Sequence, residues 1–244
     1  MSDAPPPTAA WPFEEAGDFV EQIRAAQARV MPVSGGYRPA QLTVCISRET
    51  GSRGGTIARK VAQLLQWDYY DQEKLEYLAQ EAHLEQELWM GLPEQARIWA
   101  EEHLRQLQHE GRLSQHTTIQ QLARTLLALG CRGHAVILGR GAGYLLPPAS
   151  TLLVRIVADV ADRVRYISEF HRLPEEQARQ YVRQTDQQRM EFVHTHFGRD
   201  PTEVHQYDLV VNSSLLSVEA AAQVIALAAR YKESQLDEAS NTES

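Results

Sequence analysis

The segment SRETGSRGGT at positions 47–56 carries the clearest indication of chemistry in this chain of 244 residues. It follows a short apolar run, LTVCI, and precedes IARKVAQLL, in which apolar residues recur at helical spacing. Glycines at such a junction leave the backbone N–H groups at the start of the helix free to bind an anion. The pattern therefore predicts a phosphate-binding loop. The alternative is that Gly51, Gly54 and Gly55 only form a tight turn.

The loop departs from the standard phosphate-binding pattern GxxxxGK[ST]. Alignment places Arg53 at the second glycine, Gly54 at the lysine and Gly55 at the Ser/Thr. Thr56 lies one position later, and its hydroxyl is the group that we expect near the magnesium ion of a bound nucleotide. Because the lysine is missing, Arg48 and Arg53 remain as alternative sources of positive charge, since a guanidinium is a planar fork that binds phosphate oxygens.

Five short apolar runs alternate with helical stretches between residues 41 and 231. The runs are LTVCIS, DYYD, HAVIL, TLLVRIVA and YDLVVN. Strands joined by helical crossovers predict an α/β fold in three layers around a five-stranded parallel sheet. The predicted helices span 55–66, 72–111 with a break near 91–93, 114–129, 159–171, 175–196 and 217–231.

A second glycine cluster, GRGAG at 139–143, follows the third predicted strand. Ligands of open α/β sheets bind at the carboxyl ends of the strands, so Arg140 is a candidate for binding a substrate phosphate or base. A surface arginine in a glycine turn is the alternative. Pro147 and Pro148 prevent a long helix here, which excludes a dinucleotide-binding motif.

The predicted helix over 175–196 has an apolar face that is interrupted by Arg189, and Asp186 lies three positions earlier. A solvent-exposed Asp–Arg pair on one helix is the plain interpretation. Arg183 and its neighbouring arginines add positive charge to an otherwise acidic protein. Such a concentration suits a lid that closes over a triphosphate.

The bulk composition limits the class of protein. A net charge of −8 argues against binding nucleic acid, because phosphate contacts along a strand need a basic surface. The two cysteines are not in a CxxC spacing and suggest a reducing compartment. No long apolar run predicts a membrane helix, and the acidic, proline-rich N-terminus is unlike a signal peptide. We therefore expect a cytoplasmic protein without membrane contact.

Both ends of the chain lie outside the predicted domain, which spans residues 41–232. Residues 1–40 are predicted to form a tail, an amphipathic helix over 13–31 and a linker. That helix is a candidate contact with a protein partner or with a second copy of the chain. Residues 233–244 are polar and are expected to be disordered.

In this order, the segments resemble the cytidylate-kinase-like proteins of the P-loop nucleoside monophosphate kinase superfamily. SRETGSRGGTIA is similar to the opening segment of that family, WDYYDQEKL to its next strand, and VILGRGAGYLLP to its GRD-x-G segment. TDQQRMEFVHTHFG and YDLVVNSSLLSVEAA resemble its D-x-x-R segment and its last strand and helix. The resemblance implies a P-loop NTPase fold with a helical insertion over residues 72–131 and a lid over residues 159–198.

The resemblance also implies an activity, the transfer of a phosphoryl group from ATP with magnesium to a pyrimidine nucleoside monophosphate such as CMP or dCMP. It assigns the donor phosphates to the loop residues Gly51, Ser52, Arg53, Gly54, Gly55 and Thr56. It assigns the monophosphate to Asp71, Arg140, Asp186 and Arg189, and the lid to Arg163 and Arg183. The candidate catalytic residues are then Arg48, Arg53 and Arg189.

Two other functions remain open on the sequence. Without the lysine, the protein is alternatively a catalytically impaired, nucleotide-binding regulatory module, because phosphoryl transfer depends on positioning and charge neutralisation. It is otherwise a kinase of another small molecule, which would share the donor loop and differ in the helical insertion.

Overall fold

The computed structural model describes residue 37 and residues 39–242. The predicted N-terminal helix over 13–31 lies outside the described residues. The first strand, β1 (Thr43–Arg48), is the middle of a five-stranded sheet. The other strands are β2 (Asp68–Tyr70), β3 (Ala135–Leu138), β4 (Thr151–Val157) and β5 (Leu209–Asn212). Their order across the sheet is β2-β3-β1-β4-β5 and every pairing is parallel, as the alternation of strands and helices predicted.

Nine α-helices connect the strands within the described residues. They are α1 (Gly54–Leu65), α2 (Gln72–Gln80), α3 (Ala82–Met90), α4 (Glu94–His109), α5 (Thr117–Arg132), α6 (Ala142–Leu145), α7 (Val160–His171), α8 (Glu175–Phe197) and α9 (Val218–Thr242). The break predicted near residues 91–93 is confirmed, and the helical insertion has a further break at Glu81. The insertion therefore consists of four helices, α2 to α5, between β2 and β3.

The main core lies between the sheet and the helices α1 and α9. Alternate residues of β1 and β4, among them Val44, Ile46 and Val154, point toward these helices and are fully buried or nearly so. Burying aliphatic side chains of this size stabilises the fold by roughly 1.5–3 kcal/mol each. The remaining residues of the same strands, such as Ser47 and Arg155, face the opposite side of the sheet, where the next section places a cavity.

Helix α9 continues beyond its predicted end. Instead of giving way to a disordered tail at Glu233, the helix extends to Thr242. Leu236 packs against the main core, and the carboxylate of Glu233 lies 2.8 Å from Nε2 of His134. These contacts fix the added turns, which the polar composition of the segment did not indicate. None of the helices in the described part of the chain is long and apolar enough to cross a membrane.

Candidate nucleotide-binding site

A cavity of about 640 Å³ opens where β1, β3 and β4 end. Its walls come from residues 47–49 at the end of β1 and just beyond it, the glycine cluster at 139–143, Arg155 of β4 and one face of α8. This is the edge of an open parallel sheet at which α/β proteins bind their ligands. The geometry therefore makes this cavity the candidate ligand site.

The glycine loop between β1 and α1 is fixed by contacts from distant elements. The N–H of Thr50 donates to Oδ1 of Asp186 at 2.7 Å, and the hydroxyl of Ser213 donates to the carbonyl of Ser52 at 2.8 Å. Gly51 has φ +84°, and a Cβ at this position would lie 2.5 Å from the carbonyl oxygen of Arg163. The loop requires glycine at position 51 both for its backbone conformation and for this close approach.

The loop residues predicted to bind donor phosphates do not line the large cavity. Gly51 and Arg53 instead line a separate pocket of about 150 Å³, which Ser213 and Asp162 also border. Arg53 is exposed, and its guanidinium carbon lies 5.4 Å from the ring centre of Tyr166. The structure thus places the loop residues and the cavity on two sides of the β1–α1 junction.

Three of the other four positions of the predicted phosphate loop face different surroundings. Ser52 is buried, and its hydroxyl donates to the carbonyl of Glu49 at 2.8 Å. Gly55 faces Leu138, and Thr56 is exposed in the first turn of α1. The hydroxyl of Thr56 is therefore accessible beside the start of the helix.

Arg48 is the loop arginine that reaches the cavity. Its side chain passes over Gly54, where an added Cβ would lie 2.6 Å from Cβ of Arg48. Its guanidinium then lies against Gly139, where a Cβ would overlap Nη1 of Arg48. The glycine at the position of the missing lysine thus makes room for an arginine that comes from the end of β1.

The charge of Arg48 is uncompensated among the described residues, where it has no ion pair. Burial, together with the charges of Arg189, Arg140 and Arg155, lowers the pKa of its guanidinium to about 9. Since a guanidinium hardly ever gives up its proton in a protein, this shift means that the charge is held at a free-energy cost. An anion in the cavity would offset that cost.

Three further arginines line the same cavity. Arg140 pairs with Glu76, and its guanidinium carbon lies 4.9 Å from the ring centre of Phe192. Nη1 of Arg189 donates to the hydroxyl of Thr50 at 2.9 Å. Burial lowers the pKa of both Arg140 and Arg189.

The fourth cavity arginine, Arg155, was not predicted. Its Nη1 donates to the hydroxyl of Ser47 at 2.7 Å. The signal available in the sequence was a charged residue inside the apolar run TLLVRIVA. An unpaired charge is costly in a buried strand unless the strand borders a polar site.

One face of α8 forms a wall of the cavity. The residues of this helix that line the cavity are Tyr181, Thr185, Asp186, Gln188, Arg189, Met190, Phe192 and Val193. The sequence predicted that one apolar face, interrupted by Arg189, packs into the core. Ala178 and Val182 of that face are buried against α7, while the rest of the face borders the cavity, where Arg189 places its charge.

Asp186 and Arg189 have different partners, so the predicted solvent-exposed pair on α8 is wrong. Oδ2 of Asp186 accepts from Nη1 of Arg163 at 2.5 Å, while its other oxygen accepts from the Thr50 amide. Arg163 is only 8% exposed and also lies 3.5 Å from the carboxylate of Glu49. Arg163 therefore connects α7 to the glycine loop and to α8, and is not placed as an exposed lid residue.

The two remaining predicted site residues lie farther out. Asp71 caps α2 by accepting from the amide of Lys74 at 3.2 Å, and it lines a neighbouring pocket of about 460 Å³ that Arg48 also borders. Arg183 is exposed on α8, with Glu176 at 4.0 Å, and the structure does not bring it to the cavity. Within the described residues, no group of three or more His, Cys, Asp or Glu side chains is arranged to hold a metal ion.

We expect Gly139→Ala to displace the guanidinium of Arg48 and to weaken binding of inorganic phosphate by about tenfold or more. The left-handed backbone, with φ +81°, adds a stability loss of about 1–2 kcal/mol. Isothermal titration and thermal unfolding measure the two effects. Gly111→Ala is the matched control, because Gly111 also has a positive φ, +69°, and nothing lies within 4 Å of its added Cβ. Unchanged binding in Gly139→Ala would contradict this placement of Arg48.

Comparison with known proteins agrees with this architecture. A chain of an uncharacterized protein from Eubacterium ventriosum superimposes with a TM-score of 0.54 at 18% identity, covering 78% of this chain and 99% of that one. A gluconokinase from Sinorhizobium meliloti superimposes with a TM-score of 0.46 at 13% identity, covering 85% of this chain and 99% of that one. A shikimate kinase from Bacteroides thetaiotaomicron superimposes with a TM-score of 0.42 at 13% identity, covering 75% of this chain and 96% of that one. The first of these supports the fold alone.

Comparison at the level of sequence identifies the family. No curated protein matches the chain at a significant level. The profile of the cytidylate kinase-like family matches residues 43–215, which is more than half of the chain and includes the glycine loop, all four cavity arginines and the ion pair of Asp186. The chain belongs to the cytidylate kinase-like family.

Proposed function

We propose that this protein transfers a phosphoryl group from ATP to a pyrimidine nucleoside monophosphate, CMP or dCMP. The observation that carries the proposal is the cavity lined by four arginines, with Arg48 held between Gly54 and Gly139. Clustered guanidiniums at the carboxyl edge of a parallel sheet suit a phosphorylated acceptor. Family membership favours a nucleotide kinase as the class of enzyme.

The pocket beside the start of α1 is the proposed donor site. Gly51 and Arg53 border it from the loop, and Ser213 borders it from the end of β5. The first backbone N–H groups of α1 carry the partial positive charge of a helix N-terminus, which favours phosphate. Arg53, with Arg165, then supplies positive charge on the donor side, and Arg48, with the other cavity arginines, supplies it on the acceptor side. In this arrangement Arg48 takes the place of the missing lysine between the two substrates.

Magnesium fits this site as an ion that arrives with ATP. The exposed hydroxyl of Thr56 is the protein group that would hold it, in keeping with the preference of Mg²⁺ for oxygen ligands, several waters and substrate phosphates. When bound, the ion neutralises charge on the donor phosphates. The protein's own contribution is to orient the two substrates and to exclude water.

The proposed reaction needs no protein nucleophile. An oxygen of the acceptor phosphate attacks the γ-phosphorus of ATP, the bond from that phosphorus to the β-phosphate oxygen breaks, and ADP and a nucleoside diphosphate are formed. Arg48 and Arg189 would stabilise the negative charge of the reacting phosphates from the cavity side. Arg140 would orient the acceptor from the end of β3.

We expect ATP consumption that depends on CMP or dCMP and is slower with UMP and AMP. A coupled assay of ADP release with folded protein measures it, and heat-inactivated protein provides the background. Thermal unfolding with each nucleotide tests binding separately, because a ligand at 100 times its Kd adds about 2.7 kcal/mol of stability. Absence of turnover above background with all four acceptors would contradict the proposed activity.

One observation favours a second function, a nucleotide-binding regulatory module without turnover. The amide of Thr50, in the middle of the glycine loop, is already bonded to a carboxylate, and the lysine position is Gly54. Such a module would be stabilised by ATP or CMP and would form no ADP. Absence of any thermal shift at millimolar concentrations of either nucleotide counts against both functions.

A further inference from the structure

Arg155 lines the cavity from β4, whereas the other three cavity arginines come from the end of β1, the loop after β3 and α8. It is paired in register with Ser47 of β1, on the sheet face opposite to the main core. The neighbouring pair on that face is Cys45 with Leu153, one repeat farther into the sheet, and both residues also line the cavity. Arg155 therefore lies between the polar mouth of the cavity and its apolar inner end.

The guanidinium of Arg155 has no ion pair within 4 Å among the described residues, although its charge adds to the hydrogen bonds from Thr202 in lowering the pKa of Asp200. Nη1 donates to the hydroxyl of Ser47, and the guanidinium carbon lies 6.0 Å from the ring centre of Tyr207. Arg140, by contrast, has Glu76 as its partner. The positive charge of Arg155 nevertheless acts on the cavity, because it contributes to lowering the pKa of both Arg48 and Arg189.

The charges around the cavity do not balance. The groups that line it, or that pair with a group lining it, are the guanidiniums Arg48, Arg140, Arg155, Arg163 and Arg189 and the carboxylates Glu49, Glu76, Asp186 and Asp200, the last through Thr202. Five positive groups against four negative ones leave an excess of one positive charge. A phosphate monoester carries about two negative charges at neutral pH. Without Arg155 the charges would balance, so Arg155 supplies the excess that attracts a dianion more strongly than a neutral or singly charged ligand.

We propose that Arg155 binds the phosphate of the acceptor and makes the cavity selective for phosphate monoester dianions over nucleosides and singly charged phosphates. This inference rests on the proposed function, because it takes the cavity as the acceptor site. It adds a specificity-determining residue on β4 and states the class of ligand, a small molecule with a terminal phosphate monoester.

The test is a set of binding titrations with CMP, cytidine and inorganic phosphate, without ATP. In Arg155→Gln we expect affinity for CMP and for phosphate to fall by roughly 10- to 100-fold, the loss typical of one charge-assisted hydrogen bond. Affinity for cytidine should hardly change. Equal affinity of the variant and the unaltered protein for CMP and phosphate would overturn the inference while leaving the proposed function intact.

A pH series separates ligand binding from a structural role. The second pKa of a phosphate monoester is about 6, so affinity for CMP should rise between pH 5 and 7 as the dianion forms. This rise should become shallower in Arg155→Gln and return in Arg155→Lys, which restores the charge. The same slope in Arg155→Gln as in the unaltered protein would contradict selection for the dianion.

Two further variants control for the net charge of the protein and for loss of folding. Arg105→Gln removes one positive charge from an exposed position on α4 and should leave all titrations unchanged. Ser47→Ala removes the hydroxyl that holds Arg155 and should weaken phosphate binding by a smaller factor. If Arg155→Gln does not fold, Ser47→Ala carries the test with Arg155→Lys as the charge-restoring control, and unchanged phosphate affinity and pH dependence in Ser47→Ala would overturn the inference.

The outcomes distinguish this inference from the proposed function. Phosphate binding that depends on Arg155 in a protein without turnover supports the anion site and removes the kinase proposal. Absence of binding of both CMP and inorganic phosphate by the unaltered protein overturns both.

Discussion

Replacing Arg48 by alanine is expected to lower kcat/KM for phosphoryl transfer to CMP by about 10²- to 10³-fold. The side chain brings an uncompensated charge to the point where the glycine loop, Gly139 and the cavity meet. In the proposed function it takes the role of the missing lysine. Steady-state kinetics with ATP and CMP varied in turn measure the effect, and we expect most of the loss to be in kcat.

Comparison with the neighbouring loop arginine sharpens this test. Arg53→Ala should raise KM for ATP and affect KM for CMP little, because Arg53 lies beside Tyr166 at the donor pocket. Arg48→Lys should recover only part of the activity, since an ammonium cannot reproduce the bidentate fork of a guanidinium. If neither alanine variant weakens nucleotide binding or turnover, the loop is only a turn between β1 and α1.

Replacing Asp186 by alanine is expected to destabilise the protein by about 3 kcal/mol, because the nearly buried Arg163 loses its closest carboxylate. The amide of Thr50 loses its acceptor in the same variant. For a domain of this size, a change of about 3 kcal/mol lowers Tm by roughly 6–12 °C. Thermal and urea unfolding measure this loss without any ligand.

A double variant tests the reason for the loss. Arg163→Met together with Asp186→Ala should recover part of the stability, because no unpaired charge then remains buried. Recovery should be incomplete, since Arg163 also donates to the carbonyls of Ala158 and Thr50. Glu175→Ala, which removes the partner of exposed Arg179, should change stability little. A Tm for Asp186→Ala as high as that of Glu175→Ala would contradict this account.

The order of elements was predictable from the sequence, but the direction of individual side chains was not. Alternation of apolar runs and helical stretches sufficed for the parallel sheet, because parallel strands require crossovers. Arg48 and Arg53 remained equal alternatives at that stage. The structure distinguishes the two arginines. Gly54 and Gly139 leave a path for the side chain of Arg48. Arg53 is in a left-handed conformation at the start of α1 and faces Tyr166.

Long-range pairs were the other part that local patterns did not contain. Asp186 and Arg189 are at helical spacing, which suggested a mutual pair, but the partner of Asp186 comes from α7. Arg155 was not predicted as a site residue, because a single charge in an apolar run does not show whether that face of the strand borders a core or a cavity. Both misses concern contacts between elements that are far apart in sequence, which only the packing of the chain determines.

The double attachment of Thr50 to α8 has a consequence for how ligands influence each other. Asp186 holds its amide and Arg189 holds its hydroxyl, and the two residues lie nearly one turn apart on the helix. Any shift of α8 upon filling the cavity therefore acts directly on the backbone of the glycine loop. By thermodynamic reciprocity, a ligand at the loop must alter affinity in the cavity by the same factor that a ligand in the cavity alters affinity at the loop. In the proposed function, Thr50 is therefore the residue that would couple the donor pocket to the cavity.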